Sequence, residues 1–188
     1  MLYQIFSFIL DLAIGFVSGA CLLRLYMQLQ RVPMSARSGN PVGPLVFALT
    51  DWIVLPLRRV FPAIGALDTA SLVATYLLQL TEFVVLWLMA GGLVGFVAVP
   101  LLALFGFARL VVTSMTIVLV VYAVLSWVPT HSVLTHLLDR LVRPWLVPVR
   151  RFVPLLGGID LSPFVVLVLL QIAAIVIGHL QSGFLGAI

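Results

Sequence analysis

The chain is short of charged residues, and this shortage sets the class of protein. Charged residues make up only 9% of the sequence, against 63% hydrophobic residues, and the mean hydropathy is +1.28. A soluble domain carries about a quarter charged residues. The chain therefore has too little charge to cover a water-facing surface, and its composition predicts an integral membrane protein.

Cysteine is almost absent, and this excludes several kinds of site. Cys21 is the single cysteine, so an intramolecular disulfide, a CxxC redox motif and a CxxCH haem-attachment motif are all excluded. Val17-Ser-Gly-Ala-Cys21 is similar to a lipoprotein cleavage site. However, no Lys or Arg precedes Arg24, whereas a signal peptide begins with a positive region. We expect a retained transmembrane helix in which Cys21 is a small packing residue.

Catalytic and metal-binding motifs are absent from the sequence as well. It contains no G-x-S-x-G, no Gly-rich phosphate loop, no close carboxylate pair, and no HxxxH, HExxH or cysteine cluster. His131 and His136 fall on different faces of a helix because they are five residues apart, and His179 is alone in its span. We therefore expect no enzymatic activity, no cofactor and no metal.

Long apolar segments are what the sequence does contain. About 20 apolar residues cross a hydrocarbon core of about 30 Å, and four segments have this length. The stretch from residue 69 to residue 128 is broken by Gly91-Gly92 and Pro100, which leaves a short re-entrant or interfacial apolar piece. The sequence thus predicts an all-α membrane protein with spans at about residues 5–26, 69–90, 108–128 and 162–180, and a connector at 91–107.

Two segments of mixed character are predicted to lie at the membrane interface. Pro41–Val60 and His131–Pro154 combine apolar and polar residues and contain Trp52 and Trp145. Because tryptophan favours the headgroup level, we expect interfacial amphipathic helices there.

A thirteen-residue phrase occurs twice in the chain. Residues 56–68 read PLRRVFPAIGALD, and residues 148–160, 92 positions further on, read PVRRFVPLLGGID. Such a repeat indicates a chain of two like halves. We predict repeats at 1–90 and 108–188, joined by the connector, that are parallel and related about the membrane normal.

The basic residues indicate how the chain is oriented. All ten are arginines, of which five lie between Arg24 and Arg59 and four between Arg140 and Arg151. Cytoplasmic loops are enriched in Lys and Arg, so both basic loops are expected to face the cytoplasm of a bacterium, with both termini outside. No basic face of a soluble module is visible, so nucleic-acid binding is not expected.

Each copy of the phrase is predicted to form a hinge that precedes a membrane span. The arginine side chains can reach headgroup phosphates while their stems lie on apolar surface. The two prolines of each copy are expected to limit any helix to short pieces. Asp68 can cap the helix that follows the first copy, and Ser162-Pro163 gives the same signal after the second copy, an N-cap followed by proline at the first helical position. We expect each aspartate to pair with an arginine of its own copy: Asp68 with Arg58 or Arg59, and Asp160 with Arg150 or Arg151.

Two interpretations of the role of these hinges are open. They either fix helix tilt and anchor to anionic phospholipid headgroups, or they meet at a pseudo-two-fold axis and form a partner or ligand surface.

The doubled phrase also carries a resemblance to a known family. Together with Leu22-Leu-Arg-Leu-Tyr-Met-Gln28 and Leu125-Ser-Trp-Val128, it resembles the repeated core of the YggT family, also called YlmG, with Tyr26 where Trp127 stands in the second half. That family has no established enzymatic chemistry. The resemblance implies a bacterial inner-membrane protein linked to cell division, envelope organisation, osmotic tolerance or cofactor-protein maturation.

Four ionisable residues inside the spans are further candidates, because such residues are costly in a membrane and often functional. Asp11, Glu82, Arg109 and His179 are predicted at similar depth, with Glu82–Arg109 and Asp11–His179 as plausible pairs. We expect a non-catalytic membrane organiser or assembly factor that binds other membrane proteins or itself. The alternative is a small transporter or channel that uses these four residues.

Overall fold

The protein is all-helical over the residues that the structure describes. The computed structural model describes residues 1–35, 39–92, 95–126, 132–153 and 160–187. In this part of the chain there is one isolated β-bridge, Ile64–Leu67, and no strand. The helices are α1 (Leu2–Leu29), α2 (Val42–Val60), α3 (Thr69–Met89), α4 (Val99–Ser126), α5 (Val133–Arg150) and α6 (Ser162–Ala187).

Four of these helices are long and apolar enough to cross a membrane. They are α1, α3, α4 with the 3₁₀ turn Phe96–Ala98 that precedes it, and α6. Few of their large apolar side chains are buried and many are exposed, as expected for helices whose surroundings are lipid. The predicted all-α membrane architecture is confirmed.

The apolar connector is shorter than predicted. We placed it at 91–107, but α4 already begins at Val99, so the third span starts nine residues earlier than residue 108. Pro100 lies in the first turn of α4, where its missing N–H removes no helical hydrogen bond. Gly91 and Gly92 do end α3, with φ of 72° and 70°. Residues 93–94 of the connector and 127–128 of the predicted third span lie outside the described residues.

The two segments of mixed character are amphipathic helices; their position at the membrane interface stays a prediction. Helix α2 buries Gly43, Val46, Thr50 and Val54, which recur at helical spacing on one face. Helix α5 buries Leu137, Leu141, Val142 and Leu146.

The first proline of each phrase does not end the helix in which it lies. Pro56 lies inside α2, and Pro144 and Pro148 lie inside α5. One proline removes a single hydrogen bond of the helix, and the buried apolar face holds the remaining turns in place.

The helices pack in two groups that meet at α4. Helices α1, α2 and α3 pack on one another, and so do α4, α5 and α6; α4 also packs on α1 and α3. A second link joins the end of α1 to α5. Tyr26 donates a hydrogen bond of 2.7 Å to the Leu141 carbonyl oxygen and stacks on Trp145 at 5.3 Å between ring centroids. Arg140 donates to the carbonyl oxygens of Gln30 and Arg31.

These contacts place both amphipathic helices at the same end of the bundle. We call it the basic end. Its described arginines are Arg24, Arg31, Arg58, Arg59, Arg140, Arg143, Arg150 and Arg151. Arg37, in the same loop as Arg31, lies outside the described residues.

Candidate functional site

The first hinge is a tight turn that returns the chain from α2 to α3. Ile64 and Leu67 exchange two backbone hydrogen bonds of 3.1 Å, and Gly65 between them has φ of 62°, a left-handed conformation that favours glycine. The turn brings Arg58 to Asp68, ten residues further on, with 2.7 Å between Arg58 Nη2 and Asp68 Oδ2. Of the two arginines proposed for this pair, Arg58 is the partner.

Asp68 has a different local role from the one predicted. It occupies the N-cap position of α3, but its side chain makes no capping hydrogen bond to a backbone N–H. Its Oδ2 accepts from Arg58 and from the Ser71 hydroxyl, 2.7 Å away. The carboxylate is completely buried. It therefore neutralises buried cations instead of satisfying the helix terminus.

Arg24, which we did not single out from the sequence, lies at the centre of this site. Its Nη1 donates to Asp51 Oδ1 at 2.6 Å and to Thr50 Oγ1 at 2.7 Å. Its Nε lies 3.8 Å from Asp68 Oδ2, and its guanidinium carbon lies 4.8 Å from the centre of the Phe47 ring. Only 2% of the Arg24 side chain is exposed.

A group of polar side chains from α1, α2 and the start of α3 thus forms one network. We call it the arginine cluster: Arg24, Thr50, Asp51, Arg58, Asp68 and Ser71. Its two arginines and two aspartates balance in charge, as the buried members Arg24 and Asp68 require. Arg24 Nε, Arg58 Nε, Asp68 Oδ1 and the nearby Ser18 Oγ are buried without a hydrogen-bond partner within the described structure.

The second hinge has the same ion pair in a more open setting. Arg150 Nη2 lies 2.8 Å from Asp160 Oδ2, so Arg150 is the partner of Asp160. The exposed fractions of these two side chains are 40% and 28%. Arg150 also donates to the Tyr122 hydroxyl at 3.4 Å. The match of Tyr26 with Trp127 puts Leu125 where the first half has Arg24, and the shift of 92 positions puts Arg143 where it has Asp51. The second half therefore cannot build the same cluster.

Asp160, and not Ser162, caps the helix that follows the second hinge. We expected Ser162 to be the N-cap and Pro163 the first helical residue. Instead α6 begins at Ser162, and Asp160 Oδ1 accepts a hydrogen bond of 2.9 Å from its backbone N–H. The turn glycine of this hinge, Gly157, lies outside the described residues.

The second arginine of each doublet is exposed. Arg59 and Arg151 lie at the surface of the basic end, and neither makes an ion pair within 4 Å over the described part of the chain. Trp52 is also exposed, at 62%. In the described residues no hydrogen bond or ion pair joins one hinge to the other. The halves meet where α4 packs on α1 and α3 and through Tyr26 and Arg140, not at the hinges.

The intramembrane residues are not paired as we proposed. Asp11 faces Glu82, whose Oε2 also accepts from Gln79 Nε2 at 3.2 Å. Arg109 is near enough for its charge to act on Glu82, but no ion pair within 4 Å joins these two described residues. His179 is exposed on α6 and contacts the Ile175 carbonyl. Because α6 packs on α4 and α5, His179 does not meet Asp11.

Comparison with known proteins identifies the family. The CCB3/YggT family model matches the chain twice, over residues 3–89 and 101–181. The chain belongs to the CCB3/YggT family. The resemblance inferred from the doubled phrase is thereby confirmed, and the two matches correspond to the two halves of the chain that carry it.

Relatives in this family cover most of the chain. "Uncharacterized protein YggT" of Escherichia coli K12 is 35% identical over 173 residues, which is 88% of this chain and 85% of that protein. "Uncharacterized protein in proC 3'region" of Vibrio alginolyticus is 32% identical over 177 residues, 93% of this chain and 94% of that one. No solved structure gives a significant match.

The described residues of this CCB3/YggT member contain no group of three or more His, Cys, Asp or Glu side chains that could hold a metal ion. His136 is exposed on α5, and His131 lies outside the described residues. The expected absence of a haem, a metal and a catalytic activity stays a prediction.

The Arg150–Asp160 pair makes a pH-dependent contribution to the stability of the protein. Partial burial opposes ionisation of Asp160, but hydrogen bonds from Ser162 and Arg150 outweigh it, so the pKa of this carboxyl is below its ordinary value. Partial burial likewise opposes the charge of Arg150, but its bonds to Asp160 and Tyr122 raise the pKa of the guanidinium.

The direction of the pH effect follows from the lowered pKa of Asp160. A carboxyl with a lowered folded-state pKa stabilises the protein above its unfolded pKa of about 3.9, and this contribution is lost as the pH falls through the folded value. Asp160→Asn should therefore lower the free energy of unfolding at neutral pH, and its difference from the wild type should shrink below about pH 4. Detergent-based unfolding of both proteins across pH measures this. A difference that does not change with pH would contradict the assignment.

Proposed function

We propose that this protein is a non-catalytic organiser of the bacterial inner membrane, and that its working surface is the basic end. The proposal rests on the different surroundings of the two arginines in each doublet. Arg58 and Arg150 are engaged with aspartates inside the chain, whereas Arg59 and Arg151 are exposed. The first arginine fixes the hinge, and the second is left for an external anion.

Anionic phospholipid headgroups are the partner that this surface suits best. Basic side chains next to a membrane span attract anionic lipid by about 1 kcal/mol each. Arg143, also exposed, adds a third cation from α5. Trp52, exposed on α2, has the amphipathic ring that favours the headgroup level. In the orientation that the arginines favour, this end faces the cytoplasm. It would there present a rigid, lipid-bound platform to other membrane proteins during envelope organisation or assembly.

The competing function is a small transporter or channel built on Asp11, Glu82 and Arg109. These groups meet at one level of the bundle, between α1, α3 and α4. A conduction pathway requires polar groups at several depths. The second half of α4, from residue 113 to residue 126, offers Thr113, Ser114, Thr116, Tyr122 and Ser126. Thr116 already donates to the Val112 carbonyl of its own helix. The geometry therefore supports the organiser better than the transporter.

One preparation of the purified protein tests both ideas. We expect native mass spectrometry to show retained phosphatidylglycerol and cardiolipin on the wild type, and several-fold less on an Arg59→Gln/Arg151→Gln double variant. Glu82→Gln is the matched control and should retain lipid like the wild type. After reconstitution into liposomes, we expect no ion or solute flux above that of protein-free vesicles.

The outcome that would overturn the proposal is equally definite. Flux through the wild-type protein that Glu82→Gln abolishes would establish the transporter. Equal lipid retention by the wild type and the double arginine variant would show that the basic end does not bind anionic headgroups.

A further inference from the structure

Helix α6 carries a polar side chain without a partner in the middle of its span. Gln171 is exposed and makes no hydrogen bond within the described structure. It lies nine residues after Ser162, about 14 Å along the helix and hence near the centre of a hydrocarbon core of about 30 Å. Carboxamide side chains at this depth usually hydrogen-bond to a neighbouring helix.

Because the chain is repeated, Gln171 has an equivalent in the first half whose contacts can be examined. The shift of 92 positions that relates Asp68 to Asp160 also relates Gln79 to Gln171. Gln79 is only 5% exposed and packs on α4. A Cβ placed on Gly106 of α4 would lie 2.5 Å from Gln79 Oε1 and 2.5 Å from the Phe83 ring. The backbones of α3 and α4 are therefore close at this point.

One face of α3 thus packs on α4, and the equivalent face of α6 is exposed. On α3 this face continues from Gln79 and Phe83 to Tyr76, whose hydroxyl donates to the Pro100 carbonyl at 3.1 Å. The equivalent residues of α6 are Val168, Gln171 and Ile175, and all three are exposed.

The other face of α6 is occupied as its equivalent is on α3. Ala74 and Leu78 of α3 pack against Cys21 of α1. Their equivalents in α6, Val166 and Leu170, pack in a cluster with Leu119 of α4 and residues of α5. Helix α6 therefore uses the face that meets its own repeat, and leaves open the face with which α3 meets the next repeat.

The matching surface is open on α1. Helix α4 is the first span of its repeat, and near its start Val99, Leu102 and Ala103 are at most 9% exposed. Helix α1 is the first span of the other repeat. In its first half Phe8 and Leu12 are 67% and 64% exposed.

We propose that α6 of one copy packs through Val168, Gln171 and Ile175 on the first half of α1 of a second copy. The contact would repeat between chains the one that α3 and α4 make within the chain. It is head-to-tail, so it generates a ring if the rotation closes and a linear array if it does not. This inference does not depend on the basic end or on its ligand.

Oxidative crosslinking in proteoliposomes tests the proposed pair of surfaces. Leu12→Cys and Gln171→Cys proteins are prepared separately, with buried Cys21 left in place. We expect a disulfide-linked dimer when the two proteins are mixed before reconstitution, and none from either alone. Val176→Cys replaces Gln171→Cys in the control, because Val176 is 50% exposed but lies about 140° around α6 from Gln171.

Two results would overturn the arrangement. A dimer formed by Gln171→Cys alone would mean that α6 pairs with α6, and crosslinking by Val176→Cys at the same rate would mean random collision.

A second measurement does not rely on introduced thiols. Energy transfer between labelled copies in liposomes should show self-association of the wild type, and Gln171→Leu should weaken it by about threefold or more, as expected for one interhelical hydrogen bond. Leucine suits a lipid-exposed helix, so the variant folds. Absence of energy transfer for the wild type at every protein-to-lipid ratio would refute the proposal.

Discussion

Replacing Arg24 with Ala is expected to lower the free energy of unfolding by about 3–5 kcal/mol. The substitution removes a cation that contacts both Asp51 and Asp68, and Asp68 has no exposed side-chain surface. The buried carboxylate would then keep Arg58 as its charged partner and the Ser71 hydroxyl as its neutral one. Unfolding of the protein from mild detergent with sodium dodecyl sulfate, followed by circular dichroism, measures the loss.

Two matched variants separate the buried charge from a general effect of losing an arginine. Arg143→Ala removes an exposed arginine of α5 and should change the free energy of unfolding by no more than about 0.5 kcal/mol. Arg24→Met/Asp68→Asn removes both buried charges and should recover part of the loss, because the unpaired carboxylate is gone. If Arg24→Ala lowers the free energy of unfolding no more than Arg143→Ala does, the arginine cluster does not stabilise the fold.

Removal of the hinge aspartates should affect the two halves unequally. Asp68→Ala is expected to cost about 3 kcal/mol, because it leaves Arg58 and Arg24 without a buried counter-charge and Ser71 without its acceptor. Asp160→Ala is expected to cost about 1 kcal/mol, the sum of a weak, partly exposed ion pair and one helix-capping bond. The same unfolding experiment compares the two single variants.

The comparison of Asp68→Ala and Asp160→Ala is internally controlled, since the two aspartates occupy the same place in the repeated phrase. Equal losses would mean that burial in the first half adds nothing to the ion pair. A larger loss for Asp160→Ala would reverse our assignment of the first hinge as the more tightly held one.

Much of the fold could be predicted from the sequence because membrane spans depend on length and apolarity alone. The start of α6 at Ser162 and that of α3 at Thr69 were placed correctly. The start of α4 was not. We interpreted Pro100 as a break between two apolar segments, whereas it lies in the first turn of α4, where proline is tolerated. Pro56 inside α2 was unexpected for a related reason. The cost of its one lost hydrogen bond is offset by the packing of the buried face of α2, which the sequence does not show.

The candidate site was predicted only where its partners are close in sequence. Arg58 and Asp68 belong to one phrase, so their pairing could be proposed. Arg24 and Asp51 are 27 positions apart and come together only because α2 folds back along α1. A signal for Arg24 was nevertheless present, since a cation inside an apolar span requires a counter-charge. The intramembrane residues were mispaired because depth was considered without the order in which the helices pack.

The hydrogen bond from Tyr26 to Leu141 has a consequence for how the two halves can evolve. Its acceptor is a backbone carbonyl, which every residue type provides, so position 141 can change freely as far as this bond is concerned. Its donor is a phenolic hydroxyl, whereas the tryptophan at the matching position 127 offers an indole N–H at a different place on a larger ring. The halves are therefore not interchangeable: a chain assembled from two copies of the second half would keep both hinges but lose this phenol-to-carbonyl bond between the halves.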